Sequence, residues 1–219
     1  MNKSLMDVFQ NHRICAIIRG VKSQDIVNVA DALITGGVHL IEVTFDQSSE
    51  INSEDSIRAI EILGKKFNNN LIVGAGTVMS EEQAVLSVET GAKFILAPNI
   101  DQAVIKKAKE LDVIVIPGAM TPSEISFAYK LGADIVKVFP AGYLGSAYIK
   151  SIRGPLNHIP LMAVGSVDLD NIEQLYRSGC HYFGIGGNLV NPTWVQNGQF
   201  EKITEVAKAY VNLLSKIEG

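Results

Sequence analysis

The sequence predicts an α/β chain folded as a (β/α)₈ barrel, and three observations carry that prediction. Eight short runs rich in β-branched residues alternate with amphipathic stretches, at residues 14–19, 40–44, 71–74, 94–97, 113–117, 135–139, 161–164 and 182–185. These runs are continuously apolar instead of alternating, as parallel strands covered on both faces should be. A phrase of glycine, small residue and strand also recurs: Gly36-Gly37, Gly91-Ala92, Gly132-Ala133 and Gly179-Cys180 each stop a helix just before a strand begins.

Taken in order, Met1 to Val8 breaks its apolar residues with Asp7 and reads as a short N-terminal helix, not a leader peptide. The first strand ends in Arg19, and the helix after it stops at Gly36-Gly37. The second strand, Leu40-Ile41-Glu42-Val43-Thr44, holds a carboxylate inside an apolar run. The third leads into a Gly74-Ala75-Gly76-Thr77 turn, and Ser80-Glu81-Glu82-Gln83 then reads as a capping box. Past the fourth strand comes Pro98. The fifth is followed by Thr121-Pro122-Ser123-Glu124, which combines a capping threonine, proline at the first helical position and glutamate at the third. Ile135 to Phe139, the sixth, carries Lys137. The seventh runs into Gly165-Ser166, and the eighth ends at Gly184-Ile185-Gly186-Gly187-Asn188.

Size and composition agree with one domain over residues 1–219. A chain of 219 residues that is 47% hydrophobic can bury one large core. Net charge is −4 with no basic cluster, so neither nucleic acid nor an anionic membrane is an expected partner. No apolar run reaches the roughly 18 residues of a membrane span. Cys15 and Cys180 are too far apart in sequence to suggest a disulfide framework or a zinc site, and a reducing cytoplasm is expected. The scattered His12, His39, His158 and His181 lack metal-ligand spacing. An open doubly wound sheet is the rival architecture, but the glycine-rich dinucleotide turn it needs is missing after Arg19.

Lysine is almost never buried unless paired or chemically employed. Desolvation pushes an amine toward the neutral, nucleophilic form that imine chemistry requires. Residues two apart on a strand share a face, so Glu42 and Lys137 meet near the barrel centre if those faces look inward, with Arg19 at the rim. The competing reading is a structural buried ion pair, with Arg19 a solvated strand end, Phe139 plain core and Thr77 a helix cap. Loops after the last two strands commonly bind phosphate through backbone N–H groups, which points to Val164, Gly165, Ser166, Gly186, Gly187 and Asn188.

These motifs resemble those of the bacterial 2-keto-3-deoxy-6-phosphogluconate / 2-keto-4-hydroxyglutarate (KDPG/KHG) class I aldolase family. The similarity runs from Gly36-Gly37-Val38 and Glu42-Val43-Thr44, through Gly74-Ala75-Gly76-Thr77-Val78 and Pro117-Gly118, to Lys137-Val138-Phe139-Pro140-Ala141. It implies that Lys137 forms the Schiff base, Glu42 shuttles protons, Thr77 contacts the keto-acid carboxylate and Phe139 packs on the pyruvyl group. Pro98 is expected among the substrate-binding residues. The resemblance also implies a homotrimer that uses no metal or other cofactor and acts on a small keto acid or sugar acid phosphate. Many members place an arginine shortly after the glutamate; Phe45-Asp46-Gln47 supplies none, so the carboxylate falls to Arg19, which other members share. Val164 lacks a hydroxyl associated with stereochemical control, Ser166 alters the phosphate loop, and Gly187 stands where serine is common. The expected reaction is reversible cleavage of KDPG to pyruvate and glyceraldehyde 3-phosphate, with KHG cleavage to pyruvate and glyoxylate beside it. The alternatives are the 6-phosphogalactonate epimer, a phosphosugar isomerase, epimerase or decarboxylase, and a non-catalytic keto-acid-binding barrel.

Overall fold

The computed structural model describes residues 3–67 and 70–218. The expected N-terminal helix appears as α1 (Lys3–Asn11), while Met1 and Asn2 lie outside the described residues. Nine short strands follow: β1 (Ile14–Ile18), β2 (Leu40–Thr44), β3 (Ile72–Gly76), β4 (Phe94–Leu96), β5 (Ile114–Ile116), β6 (Gly118–Ala119), β7 (Val136–Val138), β8 (Leu161–Val164) and β9 (Tyr182–Ile185). Their order in the sheet is β5-β4-β3-β2-β1-β9-β8-β7-β6, and every ladder is parallel. Between and after them come α2 (Ile26–Thr35), α3 (Glu50–Phe67), α4 (Glu81–Glu89), α5 (Gln102–Glu110), α6 (Pro122–Lys130), α7 (Ala141–Arg153), α8 (Ile172–Arg177), α9 (Pro192–Gln196) and α10 (Phe200–Glu218).

The fifth strand position differs from the expected single run over 113–117. It is divided at Pro117, which has no N–H to donate to a ladder. Before the proline, β5 pairs with β4; after it, β6 pairs with β7. The carbonyl of Ile116 accepts from Ala97 N–H at 3.2 Å, and that of Pro117 accepts from Lys137 N–H at 2.9 Å. Chain continuity through Pro117 therefore joins the two ends of the sheet, and nine ladder segments make eight barrel positions. Gly118 is required at this seam, since a Cβ there would strike the Pro98 carbonyl.

The repeated punctuation works as its chemistry dictates. Gly37, Gly91, Gly132 and Gly179 adopt φ of 87°, 117°, 104° and 106°, the left-handed conformation that closes a helix before a strand. At α6, Thr121 accepts from Glu124 N–H while the Glu124 carboxylate accepts from Thr121 N–H, completing the reciprocal box. The box expected at Ser80 is only half made. Ser80 accepts from Gln83 N–H, but Gln83 Oε1 accepts from Met79 N–H at 2.8 Å.

Two cores result. The larger lies between the strands and the surrounding helices. The smaller fills the barrel itself with Cys15, Ile17, Leu40, Phe94, Leu96, Ile114, Ile116, Ile135, Met162, Val164 and Tyr182, joined by Leu5 and Phe9 of α1. Phe9 meets Phe94 edge-on at 5.1 Å and Tyr182 at 6.2 Å. Both partners begin their strands, so α1 stoppers the N-terminal end of the barrel. Substituting Phe9→Ala should cost about 3–5 kcal/mol of unfolding free energy, read from a urea titration; unchanged stability would mean that the helix does not seal the barrel.

Candidate active site

Glu42 and Lys137 sit mid-strand on β2 and β7, and their registers put both on the inward face. Glu42 is 1% and Lys137 7% exposed. Burial pushes the Glu42 carboxyl above its usual range, while the charges of Lys137 and Arg19 pull it back. Burial pushes Lys137 below the usual lysine range; Glu42 resists that change and Arg19 adds to it. Glu42 Oε2 is buried with no hydrogen-bond partner, and no ion pair within 4.0 Å joins the two groups among the described residues. A structural ion pair would be closed and hydrogen-bonded; this one is open. Cys15 lies close enough to both to feel their charges, and burial keeps its thiol protonated.

Space for the carboxyl comes from β3. Gly74-Ala75-Gly76 is strand, where a turn was expected, and its two glycines face the barrel interior. A Cβ on Gly74 would meet the Phe94 ring, and one on Gly76 would occupy the volume of the Glu42 carboxyl. Neither glycine has positive φ, so close approach is the reason for both. The glutamate is thus positioned by an absent methyl group on the neighbouring strand.

Thr77 follows directly and is not a helix cap; Ser80 fills that role for α4. Its φ is 57°, a left-handed backbone that costs a β-branched residue about 1–3 kcal/mol. Arg19 Nη2 donates to Thr77 Oγ1 at 3.1 Å, so the hydroxyl proton remains available to another acceptor. Gln47 Nε2 donates to the Thr77 carbonyl at 2.6 Å.

Together with Lys137 and Glu42, all ten other expected residues line one cavity of about 480 Å³ at the C-terminal end of the strands: Arg19, Thr77, Pro98, Phe139, Val164, Gly165, Ser166, Gly186, Gly187 and Asn188. Phe139 is 42% exposed and is therefore cavity wall, with its ring centroid 5.1 Å from Lys137 Nζ. On the Arg19 side of the barrel rim, after β8 and β9, are two turns. Ser166 has φ 54° beside Gly165 at 89°, and the Ser166 carbonyl accepts from Asn171 Nδ2. The N–H groups of Leu189 and Val190 both return to the Gly186 carbonyl, which leaves the amides of Gly187 and Asn188 outside that pairing. Asn188 Nδ2 holds the Val167 carbonyl at 2.9 Å. Successive amides in such turns make anion cradles. Sequence reasoning missed Ile17, Gly184 and Val167 as lining residues, and it missed the supports Gly76, Gln47 and Gln83. Inward alternation on β1 and β9 could have found the first two.

A cavity that brings together a cation, a hydroxyl, an amine, a carboxyl and two amide turns suits an anionic molecule carrying a carbonyl. A protein-family model described as "KDPG and KHG aldolase" matches residues 5–206. The chain belongs to this family. It is 34% identical to a probable 2-dehydro-3-deoxy-6-phosphogalactonate aldolase of Rhizobium meliloti over 82% of each chain. It is 31% identical to the KHG/KDPG aldolase of Escherichia coli strain K12, over 87% of this chain and 86% of that one. Among solved structures, a native KDPGal structure superposes with a TM-score of 0.84 at 29% identity, covering 93% of this chain and 95% of that one. The KDPG aldolase of Legionella pneumophila, with pyruvate captured as a covalent carbinolamine, superposes at 0.82 with 26% identity over 92% and 95% of the two chains. The protein is thus an aldolase, a carbon–carbon lyase. Among the described residues no group of three or more His, Cys, Asp or Glu is placed to hold a metal, and no helix is long and apolar enough to cross a membrane.

Because only hydrogen fits on Gly76, Gly76→Ala should displace the Glu42 carboxyl and lower the turnover of the aldolase by about 100-fold or more. Steady-state cleavage kinetics on the folded variant test this, and normal turnover would contradict the position given to Glu42.

Proposed function

We propose that this aldolase works through a Schiff base on Lys137 and reversibly cleaves a 2-keto-3-deoxy-6-phospho sugar acid to pyruvate and glyceraldehyde 3-phosphate. The observation that carries the proposal is the open, desolvated Lys137–Glu42 pair in one cavity that also takes in Arg19, Thr77 and the amide turns after β8 and β9. The neutral amine attacks the ketone, giving a carbinolamine; a proton from Glu42 lets hydroxide leave as water, and a protonated imine remains. Glu42, now a carboxylate, takes the proton from the hydroxyl on the fourth carbon. The bond between the third and fourth carbons breaks, the aldehyde departs, and its electron pair is held as an enamine. Glu42 returns the proton to the third carbon, and water hydrolyses the imine to free pyruvate and the amine. A carboxyl lifted toward neutrality by burial suits both halves of this work.

Arg19 and the Thr77 hydroxyl would take the substrate carboxylate, fixing the ketone against Nζ. Phe139 would pack on the pyruvyl carbons, Pro98 would complete that wall, and the turns at Gly165-Ser166 and Gly186-Gly187-Asn188 would hold the phosphate. The carbinolamine captured in the Legionella relative supports covalent capture of pyruvate. The family resemblance supports a homotrimeric assembly, checked by sedimentation equilibrium, and the composition supports a cytoplasmic location.

KDPG is the first substrate proposed, with KHG cleavage as a side activity. One observation keeps the galactonate epimer as a second reading. Val164 and Ile17, packed together against Gly184, make an apolar stretch of the cavity wall, which on this reading would stand beside the reacting carbons. An apolar wall discriminates a hydroxyl's placement only weakly, on the order of 100-fold, whereas a hydrogen-bonding site reaches about 10⁴-fold. The kcat/KM values for the two epimers should therefore lie within about 100-fold of each other, and Val164→Thr should widen the gap. A wild-type ratio above about 10⁴ would show that another group reads that hydroxyl.

Borohydride trapping with pyruvate tests the chemistry itself. Label should appear on Lys137 and on no other residue, and both Lys137→Ala and Lys137→Arg should abolish turnover, since guanidinium stays protonated. The trapping rate should rise with pH as Lys137 loses its proton, with a midpoint below that of a solvated lysine. Glu42 stabilises the ammonium, so Glu42→Gln should move that midpoint further down while slowing cleavage by about 100-fold or more. A midpoint that moves up would reverse the sign assigned to their interaction.

A further inference from the structure

Thr77 is held in its left-handed conformation by more than Arg19. Gln47, from the loop between β2 and α3, donates Nε2 to the Thr77 carbonyl at 2.6 Å. Gln83, in the first turn of α4, uses Oε1 to accept from Met79 N–H at 2.8 Å. The backbone partners fix which way each amide faces, because a carbonyl must receive N–H and an N–H must meet oxygen. Facing that way, the two side chains are complementary to each other: Gln47 Nε2 donates to Gln83 Oε1 and Gln83 Nε2 donates to Gln47 Oε1, both at 3.3 Å. The paired amides thus grip the turn at its two ends, one on the carbonyl of residue 77 and one on the N–H of residue 79.

This pair lies outside the substrate cavity; both residues line a separate groove with Phe45, Ile57 and Leu86. The rest of the turn is anchored as well. Gly76 carbonyl accepts from Phe45 N–H at 2.9 Å, and Val78 N–H donates to the Leu96 carbonyl at 3.2 Å. Residue 77 is the one position between those anchors whose backbone is unfavourable, and it is the one whose hydroxyl meets Arg19.

We propose that Gln47 and Gln83 are positioning residues for substrate binding: their amide pair holds Thr77 left-handed and so sets the Arg19–Thr77 site for the keto-acid carboxylate. The inference rests on the function proposed above, because it needs that site to bind carboxylate. It also accounts for Gln47 in a segment that supplies no arginine, since the residue serves the anion site through the backbone instead of touching the ligand.

The chemistry makes the two glutamines unequal under the same conservative change. Gln47→Glu puts a carboxylate oxygen against the Thr77 carbonyl, where a donor is needed. Gln83→Glu keeps the acceptor for Met79 N–H and the acceptor for Gln47. The experiment measures pyruvate binding by imine trapping, together with KM and kcat for exchange of the pyruvate methyl protons with solvent deuterium, at matched thermal stability. Gln47→Glu should raise KM for pyruvate roughly tenfold, the worth of one or two hydrogen bonds, with little change in kcat, and it should do so at least fivefold more than Gln83→Glu. In a Thr77→Gly background, where the left-handed backbone needs no clamp, Gln47→Glu should change KM less than twofold. Equal effects of the two substitutions, or a Gln47→Glu penalty that persists undiminished in the Thr77→Gly background, would overturn the clamp. Wild-type protein that neither traps pyruvate nor exchanges its protons would instead remove the Schiff-base function, so the two failures are distinguishable.

Discussion

The desolvation of one amine organises this protein. Lys137 lies mid-strand in the wall of a barrel whose interior is otherwise apolar below it, and an ammonium there is expensive. A closed ion pair with Glu42 would have relieved that expense at the cost of nucleophilicity. The structure keeps the two groups near enough to feel each other's charge and too far apart to neutralise it. Burial, only partly offset by that mutual attraction, displaces each toward its uncharged form, the state from which imine formation and proton transfer both start. Arg19 sharpens the effect on the amine, because a second cation within reach makes protonation of Lys137 still less favourable.

The scaffold serves that arrangement through close backbone approach. Gly76 leaves room for the Glu42 carboxyl, Gly118 for the loop carrying Pro98, and Gly142 for the Ser166 carbonyl at the start of α7. At each place a methyl group would push apart two elements that border the cavity. Strained backbone gathers at the same rim: among the described residues, non-glycine left-handed conformations occur at Thr77, Asp112 and Ser166, two of them lining the cavity. Conformational cost concentrated beside a binding site, and held there by neighbouring hydrogen bonds, is a pattern expected of preorganised sites.

Much of this could be read from the chain. Lys137 and Glu42 announced themselves as charges inside apolar runs, strand spacing put them on one face, and the strand count fixed the barrel. Strand boundaries at 40–44, 161–164 and 182–185 coincide with the observed elements. What escaped had a common physical cause: it depends on partners distant in sequence. The glycines of Gly74-Ala75-Gly76 look like turn residues until Phe94 and Glu42 are seen to need their space. Pro117 ends a plausible strand in the sequence, yet in the fold its carbonyl continues into the next ladder. Gln83 reads as a capping residue, but its side chain meets Met79 N–H and Gln47, and the latter lies 36 positions away. The shift of Thr77 into left-handed space has no local signature at all.

The stopper formed by Leu5 and Phe9 has a kinetic consequence. With the bottom of the barrel filled, the cavity opens at the opposite end, and on the proposed mechanism whatever is attached to the buried Lys137 amine would lie deep within it. A three-carbon fragment bound there would be screened by the phosphorylated fragment until the latter left. On the proposed mechanism the architecture would set the order of events: in cleavage the aldehyde would exit first and the keto acid last, and in condensation the keto acid would enter first.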